Sequence, residues 1–333
     1  MWVVRIRSAD ITPDRSPTRF IPVSPVATRH ADGGVARVRR RRGSASAGPS
    51  AVGRPRAAFA SARLIREPPL PVPVRVERIG DGAGEPELAV VGAIHGDEPC
   101  GAHAVEGLID DPPPVERPVK LIVANERALE RGVRYVDADL NRAFPGAPGA
   151  DTHEGRLAHA LRSELVDCTA FSIHSTRSHD RPFAVVNGRG PLAEAVCPYL
   201  SVEAVVDAGE FTEGRLVDYA SVVEVEAGLQ GSPAAARNAA SLAREFLGAV
   251  GALPAGPRRE RLPVYRLRRL VPKRPAESYG MLVSNFERVD AGEPYATVDG
   301  EELVADESFY PVLMSAYGYE TQLGYAADLV GSV

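Results

Sequence analysis

Gly92-Ala93-Ile94-His95-Gly96-Asp97-Glu98-Pro99 sets an imidazole and a carboxylate three residues apart. They straddle what reads as the turn between a buried strand and a helix. In open α/β sheets, ligands bind beyond the carboxyl ends of the strands. His95 and Glu98 are therefore expected to project from the functional edge and to face one ion, with Gly96 letting the backbone turn closely. The chain contains a second H-x-x-E, His103 and Glu106. That pair falls inside a predicted helix, with His103 opposite the Val105, Leu108 and Ile109 stripe, and reads as a solvated face.

A catalytic zinc takes three protein ligands, often two His and one Glu, and keeps one position open. The third ligand should come from another strand end. His174, in Phe171-Ser172-Ile173-His174-Ser175-Thr176, fits this, and His179 is a rival further into the loop. Arg134-Tyr135-Val136-Asp137-Ala138-Asp139-Leu140-Asn141-Arg142 packs two guanidiniums and an amide around acidic residues. That composition suits carboxylate recognition, because Arg matches a carboxylate with two parallel hydrogen bonds. Finally, Val223-Glu224-Val225-Glu226-Ala227-Gly228 reads as a strand that puts both glutamates on one face. Either carboxylate could serve as general base beside an activated water.

The elements that must position these groups alternate. Strands are predicted at 74–77 (an edge), 88–94, 119–123, 170–173, 184–186, 202–206 and 222–225, and helices at 98–109, 154–166 and 234–250. This order specifies an α/β sheet with helices on both faces. From about residue 257 the texture changes. Strand-like runs at 264–271, 287–289, 295–298 and 310–314, separated by Gly, Pro and Asp, read as a small all-β appendage.

Composition bounds the function class. Apolar residues make up 44% of the 333, enough for a substantial core, and no run of about 18 apolar residues suggests a membrane span. Residues 1–67 hold 14 Arg against Asp10, Asp14, Asp32 and Glu67, a net charge of +10; the remainder carries −15. The acidic body argues against nucleic acid as a partner. The basic segment has few apolar runs and is expected to be a disordered tail, dispensable for folding. Cys100, Cys168 and Cys197 are odd in number and lack metal-type spacing, which suits a reducing, cytoplasmic compartment.

Taken together, G-x-x-H-G-D-E-P, R-Y-x-D-x-D-L-N-R-x-F-P-G, I-H-S-T and E-x-G, in this order over residues 72–325, resemble the succinylglutamate desuccinylase/aspartoacylase family, a branch of the zinc carboxypeptidase superfamily. The resemblance implies a mixed-sheet, zinc-carboxypeptidase-like domain over 68–256 and a C-terminal all-β domain over 257–333 that covers the active site. It implies one Zn2+ per chain at His95, Glu98 and His174, with Glu226 as catalytic glutamate and Arg134 polarising the scissile carbonyl. Asn141, Arg142 and Tyr319 would bind substrate, with Tyr317 as the fallback for Tyr319. The family usually carries Asp two residues before the third zinc ligand, where this chain has Ser172.

The expected activity is cleavage of the acyl–amide bond of a small, carboxylate-bearing N-acyl amino acid by metal-activated water. The alternatives are a zinc carboxypeptidase acting on peptides, which a β domain beside the cleft should hinder, and a zinc-binding protein with little turnover. Retention of Arg134 and Glu226 argues against the latter, since a metal binder needs neither.

Overall fold

The computed structural model describes residues 72–82 and 84–333, which fall in one compact unit. The basic segment 1–67 lies outside the described residues. The strands are β1 (Arg75–Ile79), β2 (Leu88–Gly92), β3 (Val119–Val123), β4 (Thr169–Thr176), β5 (Phe183–Val186), β6 (Val205–Asp207), β7 (Ser221–Leu229), β8 (Pro263–Pro272), β9 (Tyr279–Met281), β10 (Pro294–Val298), β11 (Glu301–Val304), β12 (Tyr310–Val312) and β13 (Gln322–Ser332). The helices are α1 (Pro99–Asp110), α2 (Glu126–Arg131), α3 (His153–Glu164), α4 (Pro191–Val196) and α5 (Pro233–Ala249).

Ten strands form one mixed sheet in the order β1-β3-β2-β4-β7-β5-β6-β8-β13-β12. β3, β2, β4 and β7 are mutually parallel, and β5 reverses direction against β7. Parallel strands are buried on both faces, and their near-continuous apolar runs follow from that. Alternation sorts the side chains. Leu88, Val90, Phe171, Ile173, Val223 and Val225 pack with Val105 and Leu108 of α1 and with Leu242 and Phe246 of α5. Ala89, Val91, Ala170 and Val222 face the other way, against Leu157 and Leu161 of α3. The expected α/β sheet with helices on both faces is the fold observed.

This parity decides where the polar residues go. Ser172 and His174 on β4, and Glu224 and Glu226 on β7, share the α3 face, opposite the Phe171/Ile173 and Val223/Val225 face. Close packing fixes the strand-to-helix turn after β2. A Cβ on Gly96 would sit 2.1 Å from the Ala128 backbone carbon in α2, so no side chain fits there. Ala93, just before, adopts φ 57°, a left-handed conformation that costs energy in a residue with a Cβ.

The region after residue 257 is built of strands, but it is not a separate sheet throughout. β8, β13 and β12 continue the main sheet, so that sheet runs across the expected 256/257 boundary. β9, β10 and β11 form a small antiparallel sheet of their own. The run 287–289 is no strand; Val289 makes a single bridge to Phe309. No helix among the described residues is long and apolar enough to cross a membrane.

Candidate active site

The carboxyl ends of β2, β4 and β7 open into a cavity of about 630 Å3 lined by His95, Glu98, Arg134, Asn141, Arg142, His174, Glu226 and Tyr319, among others. Every residue singled out for chemistry in the sequence therefore borders one space. The rivals lie elsewhere. His103 is exposed, His179 pairs with Glu203, and Tyr317 is 67% exposed, with its hydroxyl accepting from the Tyr279 amide.

His95, Glu98 and His174 are buried and bring one donor atom each within 4.8 Å of the others. Glu98 is the hub. Its Oε1 lies 2.8 Å from His95 Nδ1, and its Oε2 lies 3.1 Å from His174 Nδ1 and accepts from the Ser175 amide. His95 Nδ1 is buried yet makes no hydrogen bond despite the 2.8 Å approach. An imidazole nitrogen held against a carboxylate without a usable hydrogen bond is what a shared cation would relieve, so the donor set fits a metal ion. The opposite ring nitrogens are held from outside. His95 Nε2 donates to Asp139 Oδ1 at 3.0 Å, and His174 Nε2 lies 3.2 Å from Ser172 Oγ. Such outer partners fix the orientation and tautomer of ligating histidines.

The electrostatics follow from this packing. Burial opposes the charged form of His95, but Glu98 and Asp139 outweigh it and push the pKa up to about 9. Burial would raise Glu98, yet His95 and His174 hold it well below the carboxylate range. Glu226 behaves oppositely. Burial, and then the neighbouring charge of Glu98, push its carboxyl up to about 7. Its Oε2 is buried without a hydrogen-bond partner, leaving a carboxyl poised to exchange protons near neutrality. Burial, then Glu226, raise the Tyr319 hydroxyl above its ordinary range.

Arg134 donates to Glu98 Oε1 at 3.0 Å and to Asp139 Oδ2 at 3.1 Å. Asn141 is fixed by the Leu216 amide, which donates to Oδ1 at 2.8 Å. The loop carrying these residues is anchored from behind by Glu154. Its carboxylate accepts from the amides of Val136, Asp137 and Ala138 at 2.7–3.1 Å and from Asn125 Nδ2 at 3.1 Å.

Three contributors escape the sequence reading. Arg215 is buried in the cavity wall, with Nε unpartnered and Nη2 donating to the Tyr325 hydroxyl. Burial, and then the charge of Arg215, lower the pKa of Arg142. Two guanidiniums that disfavour each other at a cavity wall suit an anionic ligand. Asp139 lies in the recognised loop, but its contact with His95 spans 44 residues and no local pattern announces it. Glu154 heads a helix and carries no motif.

Residues 84–181 match the profile of the succinylglutamate desuccinylase/aspartoacylase catalytic domain. A probable aspartoacylase from Nostoc sp. is 29% identical over 128 residues, 34% of this chain and 43% of that protein. An N-acyl-aromatic-L-amino acid amidohydrolase (carboxylate-forming) from Xenopus tropicalis is 39% identical over 84 residues, 22% of this chain and 27% of that one. The matched part thus spans less than half the length of these curated relatives. Two solved structures share the fold over most of the chain. The ectoine utilization protein EutE from Ruegeria pomeroyi gives a TM-score of 0.65 at 21% identity, covering 78% of this chain and 88% of its own. Murine aminoacylase 3 gives 0.61 at 20% identity, covering 75% and 97%. Residues 84–181 are thus similar to the succinylglutamate desuccinylase/aspartoacylase catalytic domain, and the chain shares its fold with these two solved structures.

Proposed function

We propose that the chain is a zinc-dependent amidohydrolase that removes the acyl group from a small N-acyl amino acid. The observation that carries this reading is the convergence of His95, Glu98 and His174 beside Glu226, whose buried carboxyl is raised to about 7. A base with a pKa near the working pH is the efficient choice for proton transfer.

Zinc held by two histidines and a glutamate would supply Lewis acidity toward a carbonyl oxygen and toward water. Glu226 takes a proton from the attacking water. As the C–N bond breaks, the same carboxyl returns a proton to the leaving nitrogen, giving a free amine and a carboxylate. Arg134 offers positive charge where the carbonyl oxygen becomes negative, and such preorganised donors cost no reorganisation during the reaction. Asn141 and Arg142 hold the substrate carboxylate, and Arg215 completes the anion-binding wall. Tyr319 lines the cavity from the C-terminal segment. The volume suits a small molecule, and the lining of the cavity by residues 318–322 argues against a long peptide. A cytoplasmic location belongs to the same reading and rests on three buried, unpaired cysteines.

The test compares an N-acyl amino acid, its carboxamide and a peptide of about six residues, a length chosen to exceed a small pocket. Rapid turnover of the first alone is expected. Equal or faster cleavage of the peptide would contradict the proposal.

A further inference from the structure

The two histidines of the candidate metal site are supported unequally. His95 Nε2 has a carboxylate at hydrogen-bond distance, Asp139 Oδ1 at 3.0 Å. His174 Nε2 has only a neutral hydroxyl that close, Ser172 Oγ at 3.2 Å. A hydroxyl raises the basicity of a ligating imidazole less than a carboxylate does. Just beyond it stands Glu224, whose Oε1 lies 3.9 Å from the same Nε2.

The register makes this placement systematic. Ser172 and Glu224 are direct partners on the parallel strands β4 and β7, on the face that carries His174. Glu224 has a side chain only 6% exposed. Its other polar contact is long: Asn141 Nδ2 donates to it at 3.4 Å. Among the described residues, its ion-pair partner within 4 Å is His174. A buried carboxylate needs a polar partner, and the titratable group nearest to Glu224 is the His174 imidazole.

We infer that Glu224 is a positioning residue that carries the carboxylate support of His174, with Ser172 as the near hydroxyl between the strands. It also holds one amide hydrogen of Asn141. One side chain thereby ties the orientation of a metal ligand to that of a substrate-binding residue. Glu226, two residues on, keeps its separate place beside the cavity.

The inference rests on the proposed zinc site, and the experiment separates the two. Zinc affinity is measured on the full chain by chelator competition for the parent, E224Q, S172A and the double variant S172D/E224Q. E224Q is expected to bind zinc about tenfold or more weakly, the usual effect of losing an outer-shell carboxylate, while S172A stays within about threefold of the parent. S172D/E224Q is expected to recover most of the loss, because it returns a carboxylate to the same nitrogen from the neighbouring strand. A purely structural role for Glu224 would not yield that rescue. E224Q binding as tightly as the parent, or a double variant as weak as E224Q, would overturn the inference and leave the zinc site standing. A parent that binds no zinc would remove both. If E224Q does not fold, S172A decides: retained affinity supports Glu224 as the support, and a tenfold loss assigns it to the hydroxyl instead.

Discussion

His174 and Glu226 are register partners on the adjacent parallel strands β4 and β7, so the candidate metal ligand and the candidate base leave the sheet side by side. Glu226→Gln should therefore keep the metal site and lose the proton transfer. The expected result is full zinc stoichiometry with kcat lower by about 10²–10⁴-fold, the usual worth of a general base. Metal analysis and steady-state kinetics on the same preparation check it. Near-parental turnover would remove Glu226 from the mechanism.

The raised pKa of Glu226 gives the reaction a pH signature. A carboxyl lifted to about 7 is protonated below that value and cannot accept the proton. Activity should therefore rise with pH along an acid limb. A bound cation favours the carboxylate, which sets the limb at or below 7. Flat kcat/KM between pH 5 and 8 would contradict the assignment.

Zinc binding should also strengthen as pH rises. In the metal-free chain, Glu98 and Asp139 push His95 up to about 9, and a ligating imidazole must be neutral. Apparent zinc affinity should rise with pH up to about 9, by up to about tenfold per unit for each proton displaced. Chelator competition at several pH values measures the slope.

Arg215 should behave as a substrate-binding residue. Arg215→Lys removes a fork of donors from the cavity wall, and the loss of a charged hydrogen bond costs about 1.5–3 kcal/mol. A fall in kcat/KM of about 10–100-fold is expected for the carboxylate substrate, with little change for its carboxamide, which is already poor. An equal loss for both would assign Arg215 to folding instead.

Glu154 holds the recognition loop through three backbone amides. Burial would raise its pKa, but those amides outweigh it and lower the value below the usual 4.5. A depressed folded-state pKa contributes stability that is present above 4.5 and lost as pH falls through the folded value. Glu154→Gln should cost about 1–3 kcal/mol at pH 7 and less at pH 3, as measured by denaturant unfolding.

The legible parts of the site were those whose geometry is local. His95 and Glu98 share one turn, and the 134–142 loop is contiguous, so residue type and spacing placed them together. The face of β7 could be read from alternation, but not its burial: Glu224 reads equally well as an edge-strand residue facing solvent. The choice of His174, near the end of β4, over His179, in the loop beyond it, needed the resemblance. Arg215, Asp139 against His95, and Glu154 behind its loop depend on contacts between distant segments, which no periodicity encodes. In the fold, the helices α1, α3 and α5 carried clear apolar stripes. β13, rich in Gly and Ala, and the short helices α2 and α4 carried too little pattern to separate from loops.

A zinc ion shared by His95, Glu98 and His174 underlies every proposed step. Its most direct test is anomalous diffraction at the zinc edge from crystals of the zinc-loaded protein. One peak is expected, about 2.0–2.2 Å from His95 Nδ1, His174 Nδ1 and a Glu98 carboxylate oxygen. A peak at other residues, or none at these three in protein shown to be active, would contradict the account.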